Sequence, residues 1–141
     1  MADTIFNNFI DKFGEKVFDM SNDVFKIILL NDTYTINEDE INYGDILSTE
    51  ELATAGGYTV GGVTLTSVTW EADSGTNTFD AANVSWPAAT LTARYAIIYD
   101  DTVTDDPVVC LIDFGENKSA SAVTFEIRFN DDGIFTLAQG A

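Results

Sequence analysis

The side chains that could do chemistry in this sequence are carboxylates. Asp100, Asp101, Asp105 and Asp106 crowd into one short stretch. An oxygen-rich loop of that kind could ligate calcium, which takes several oxygen donors. The EF-hand pattern is missing, however, and Asp131-x-Gly133 is too short a match. Asp and Asn are also the ordinary residues of solvated turns, so no metal ligand is expected. Paired acids can hydrolyse glycosides when one carboxyl has a raised pKa and an aromatic cleft holds the sugar. Trp70 and Trp86 could stack on sugar rings, but nothing in the sequence brings two acids beside either of them. In a small β domain a tryptophan is more often core or subunit interface.

Other chemistries are excluded by composition. Histidine is absent and cysteine occurs once. That removes Ser-His-Asp and Cys-His catalysis, a Cys/His zinc site and an internal disulfide. Gly56-Gly57 and Gly61-Gly62 lack the Lys-Ser/Thr ending of a phosphate loop. They read as glycines that permit tight turns at strand ends. No catalytic residue, cofactor-binding residue or cofactor is expected, and the chain does not read as an enzyme.

The 141 residues suit one domain. Acidic side chains number 24 against 6 basic ones, a formal net charge of −18. Lys12, Lys16, Lys26, Arg94, Lys118 and Arg128 are scattered, while the acids run together at Glu38-Asp39-Glu40, Asp100-Asp101, Asp105-Asp106 and Asp131-Asp132. Binding to phosphate backbones needs clustered Lys and Arg, so nucleic acid is not an expected partner. Such a charge keeps copies apart and costs some stability by self-repulsion, which salt relieves. Apolar residues still make up 45%, with ten Phe, enough for a core. The N-terminus has no signal-peptide pattern. The longest nearly apolar run, Val24 to Leu30, falls far short of the about 20 residues a membrane helix needs. The expectation is synthesis and folding in a cytosol without membrane contact. Cys110, inside Val108-Val109-Cys110-Leu111-Ile112, reads as a buried thiol.

The elements that must position these side chains are mostly strands. Residues 3–14 predict a short helix, with Asp3 as N-cap and Gly14 as its stop. Ile5, Phe6, Phe9, Ile10 and Phe13 share one face. A helix so short must dock on something, so this stripe is a candidate partner interface together with Trp86. The division is residues 1–14 as an amphipathic helix and 15–141 as one β domain. Glu15–Met20 and Asp23–Leu30 predict two strands. Residues 31–56 have no clear period, apart from one helical turn at Ser48–Leu52, where Ser48 and Glu51 have capping-box spacing. Val63–Ala72 predicts a strand with a bulge near Ser67, where the alternation slips. After the turn at Asp73–Thr76 come short strands at Asn77–Phe79 and Val84–Trp86, then Thr90–Tyr99, Val108–Phe114, Val123–Phe129 and Ile134–Ala138. Asn130–Gly133 reads as a hairpin turn joining the last two. The fold class is mainly β, a single β-sandwich or jelly-roll-like domain with a short N-terminal α-helix.

With those strands in place, the chain resembles small virion structural proteins of tailed bacteriophages. The resemblance lies in the opening helix with its Phe25-Lys26-Ile27-Ile28-Leu29-Leu30 strand and in Gly57-Tyr58-Thr59-Val60-Gly61-Gly62-Val63-Thr64-Leu65. It continues through Val84-Ser85-Trp86-Pro87-Ala88-Ala89-Thr90 into Leu91–Tyr99, then Leu111-Ile112-Asp113-Phe114-Gly115 and Phe125-Glu126-Ile127-Arg128-Phe129-Asn130. It implies a virion component and carries over no catalytic residues. The expected role is capsid decoration, on the surface of the virion head, with the major capsid protein or other virion proteins as partners. A homo-oligomer is expected, a trimer being one arrangement. The alternatives are a tail, neck or fibre protein, or a carbohydrate-binding module using Trp70 or Trp86.

Overall fold

The computed structural model describes residues 2–139. Within them the chain is mainly β, with two antiparallel sheets and one short helix. Strand β1 (Thr4–Ile5) leads into α1 (Asn7–Gly14). Strands β2 (Phe25–Leu30), β3 (Val63–Thr64), β4 (Thr69–Asp73) and β5 (Thr76–Asp80) follow. The long strands β6 (Val84–Asp100) and β7 (Val108–Ile127) and the short β8 (Phe135–Ala138) complete the set. The larger sheet has the order β1-β7-β6-β2-β3 and the smaller β4-β5-β8.

The bend expected near Ser67 is where the chain leaves one sheet for the other. Ser67 has φ +52 and separates β3 in the large sheet from β4 in the small one. Two predicted strand pairs instead fuse. Val84–Trp86 and Thr90–Tyr99 are both parts of β6, which carries Pro87 and a left-handed Ala88 through an irregular stretch between Trp86 and Ala89. Val108–Phe114 and Val123–Phe129 likewise merge into β7, apart from the last two residues. The predicted loop between them is a wide bulge: Ala93 pairs with Lys118 and Tyr95 with Asp113, so Arg94 alone stands against residues 114–117. Gly115, at φ +82, lets the backbone make that excursion.

Three expectations are corrected. The helix begins at Asn7, not at residue 3, because β1 pairs with β7, the Asp3 and Phe6 N–H groups donating to the Leu111 and Val109 carbonyls. Asp3 is therefore no cap, and its carboxylate accepts the Asp113 N–H at 2.7 Å. Glu15–Met20 forms no strand; the segment turns around the Asp19 carboxylate, which accepts the Ser21 and Asn22 N–H groups. Residues 130–133 do turn, with Gly133 N–H donating to the Asn130 carbonyl. The strand beyond, however, joins β5 in the other sheet and does not return along β7.

The core lies between the sheets. Phe79 of β5 meets Phe25 of β2 edge-on at 5.1 Å and Phe135 of β8 at 5.2 Å. Ile27, Leu29 and Ile98 share the Phe25 face of the large sheet and fill this interior, while Ile28, Leu30, Ile97 and Leu111 are buried on its opposite face. Cys110 is buried among them, as expected, and burial pushes its thiol up to about 12. Such a thiol packs as a small hydrophobe and is not a nucleophile at neutral pH.

Candidate functional site

The predicted interface stripe divides between core and surface. Phe6 is fully buried and Phe9 nearly so. Phe9 packs on Phe18 at 4.7 Å and on Phe135 at 5.8 Å. These two rings close one end of the core of their own chain, so they are corrected from partner contacts to core residues. A helix of eight residues cannot stay folded alone, and the sheets supply its support. Ile5 and Phe13 are partly buried, while Ile10 stands 58% exposed. Trp86 is also corrected: it is 2% exposed, between Tyr58 and Phe125. Buried there, with no hydrogen-bond partner for its Nε1 among the described residues, it has no open face for a sugar or a subunit.

What remains accessible is an apolar groove of about 230 Å³ between α1 and the small sheet. Phe13, Trp70 and Phe135 line it, and the exposed side chains of Ile10 and Leu137 stand at it. The helix reaches it through its 3.6-residue period; β8 reaches it through alternation, with Phe135 and Leu137 on one face.

The acidic stretch does not converge on a cation. Asp101 pairs with Lys26 at 3.7 Å, and Asp105 and Asp106 occupy left-handed positions of the connecting loop. Among the described residues no three acidic or thiol side chains are grouped to hold a metal. Asp100 points the other way and is fully buried. Its Oδ1 accepts the N–H groups of Thr102 and Val103, at 2.9 and 3.2 Å. Its Oδ2 has no hydrogen-bond donor among the described residues. Burial, followed by the adjacent Asp23 carboxyl, pushes the Asp100 carboxyl up to about 7.

A second buried carboxylate was given only a capping role by sequence reasoning. Glu51 is 6% exposed, and its two oxygens are fully engaged. Oε1 accepts the Tyr43 hydroxyl; Oε2 accepts the Tyr58 hydroxyl at 2.7 Å and the Gly61 N–H at 2.8 Å. Tyr58 Oη in turn accepts the Leu29 N–H of the large sheet, at 3.2 Å. Tyr43 stacks on Tyr99 at 4.7 Å, and the Tyr99 hydroxyl donates to the Gly61 carbonyl at 2.7 Å. Burial, with the Glu51 carboxylate second for both, raises the Tyr43 and Tyr58 hydroxyls above their ordinary value, so they act as donors at any physiological pH.

The network fastens the 31–62 excursion onto the sheet. The Ser48–Glu51 capping box does not form; the Leu47 N–H donates to Glu50 instead, and a capping box forms at Asn42 and Asp45 around the 3-10 turn Tyr43–Asp45. Gly62 and Gly56 let the excursion lie directly on the strands. A Cβ at either would come within 2.0 Å of a strand carbonyl, that of Ile27 or of Thr90. The signal for this site lay in the tyrosines, whose rings bury while their hydroxyls demand a polar partner.

Chemically, the groove can hold an apolar side chain and the Glu51 network holds a loop in place. Asp100 is the carboxyl whose environment alters its acidity most. No family model, no curated protein and no solved structure matches this chain.

Proposed function

We propose that this chain is a non-enzymatic bacteriophage virion structural protein, a capsid decoration or cement protein that grips the assembled head. The observation that carries this reading is the groove beside α1. It is an apolar site, with Ile10 and Leu137 exposed, on a chain of net charge −18. Charge repulsion opposes indiscriminate association, so docking is confined to places where apolar area offsets it. The two sheets are read as the layers of a sandwich that presents this groove at one end. The segments that resemble virion proteins are largely those that build the large sheet. A protein that binds only the assembled shell stabilises it by linkage, and an acidic one stays off packaged DNA.

The decorating reading makes the major capsid protein the first partner and copies of the chain the second. The carbohydrate reading loses Trp86 to the core and retains only Trp70, whose ring already contacts Phe13 at 5.8 Å. Immunogold labelling of intact virions tests the proposal. Label on heads is the expected result. Label confined to tails supports the tail, neck or fibre alternative, and particles without label end the virion reading altogether.

A further inference from the structure

Asp100 ends β6, and its register partner Phe25 opens β2. The turn before β2 is held against the loop after β6 by two hydrogen bonds. The Val24 N–H donates to Thr102 Oγ1 at 2.7 Å, and the Asp101 N–H donates to the Val24 carbonyl at 2.8 Å. Beneath them the Asp23 carboxyl lies within hydrogen-bonding reach of Asp100. Asp23 Oδ2 already accepts the Asp19 N–H at 3.0 Å. Asp100 Oδ2 is buried with no donor among the described residues. Two ionised carboxylates cannot share such a position without a large electrostatic cost. A single proton removes that cost: one carboxyl donates its O–H and the other accepts.

We infer that Asp23 and Asp100 are a proton-sharing acid pair that clasps the turn before β2 to the β6–β7 loop and releases it when the proton is lost. The charge that acts on Asp100 and favours keeping the proton is the Asp23 carboxyl. Asp19 turns its own carboxylate to Ser21 and Asn22, and Asp101, Asp105 and Asp106 lie on the loop. Lys26 of β2 is engaged by Asp101 at 3.7 Å. The Asp106 carboxyl is itself raised, by partial burial and then by Asp101. A calcium ion in place of the proton would need several further oxygen ligands.

The sign of the effect follows from linkage. Asp100 moves from its ordinary value of 3.8 up to about 7 on folding, so the folded chain holds a proton that the unfolded chain has released. The stabilisation is complete below pH 3.8, declines as pH rises through the interval to about 7, and is absent above it.

Carboxyl-carbon NMR of the full chain tests this directly. The Asp100 carboxyl is expected to titrate near 7. Asp100→Asn gives the pair an N–H donor that no pH removes. In the wild-type chain, amide-exchange protection at residues 101–103 should fall about tenfold or more between about pH 5 and about pH 8, after correction for intrinsic exchange. In the variant it should stay level. The inference is overturned if every Asp carboxyl titrates below about pH 5, or if the variant keeps the wild-type pH dependence. It is also overturned if calcium restores protection at the higher pH in the wild-type chain and not in the variant, which would place a metal ion between the carboxyls. The NMR titration needs no variant, so a misfolded Asp100→Asn would not leave the inference undecided.

Discussion

Two carboxylates are buried at opposite ends of one argument about desolvation. Glu51 lies where the 31–62 excursion meets the large sheet, and three donors converge on its oxygens. Asp100 lies at the end of β6 with two backbone donors on Oδ1 and none on Oδ2, beside another acid. A buried ion is tolerated when hydrogen bonds replace its hydration, and it takes up a proton when they do not. The difference is therefore in the neighbours and not in the acid. Glu51 works as a fastener with both oxygens engaged, whereas Asp100 works as one that depends on pH.

The contrast is broken most forcefully at Glu51. Glu51→Ala should cost about 3–5 kcal/mol in urea unfolding, because it orphans two tyrosine hydroxyls and a backbone N–H in a buried site. A cost below about 1 kcal/mol would mean that water satisfies those donors and that the fastener reading is wrong. Tyr99→Phe removes only the bond to the Gly61 carbonyl and preserves the stack on Tyr43. It should cost about 1 kcal/mol, with the 31–62 amides showing the largest change in exchange. Lys26→Ala should be smallest. Its pair with Asp101 is a third exposed on each side and solvent-screened, so the loss should be about 0.5 kcal/mol or less by thermal unfolding. A loss much larger than that would show Lys26 acting on the Asp23–Asp100 pair as well as on Asp101.

Much of the framework was legible in residue order. The turn at Asp73–Thr76, the kink near Ser67 and the apolar β2 all follow from local steric and periodic rules. The failures have physical causes too. The helix that the sequence predicts over residues 3–14, with Phe on one face, looks like an unpartnered surface. Phe6 and Phe9 prove to be core because β1 pins the helix against β7 and the small sheet folds over it. Residues 130–138 look like a hairpin, since an Asn-Asp-Asp-Gly turn is compatible with one. Partner choice for β8 is non-local: it pairs with β5, where Phe135 meets Phe79 at 5.2 Å.

The same division holds for the sites. From sequence Asp100 reads as one acid of a solvated turn and Glu51 as part of a capping box, while Asp23 carries no signal at all. An acid directly after the apolar run Ala96–Tyr99 was a clue that Asp100 turns inward. The charge and the exclusion of imidazole and paired-thiol chemistry follow from which side chains exist, and the mainly β character from their local order. Which carboxyls lose their water was decided by tertiary structure alone, because desolvation depends on what packs around a group from distant parts of the chain.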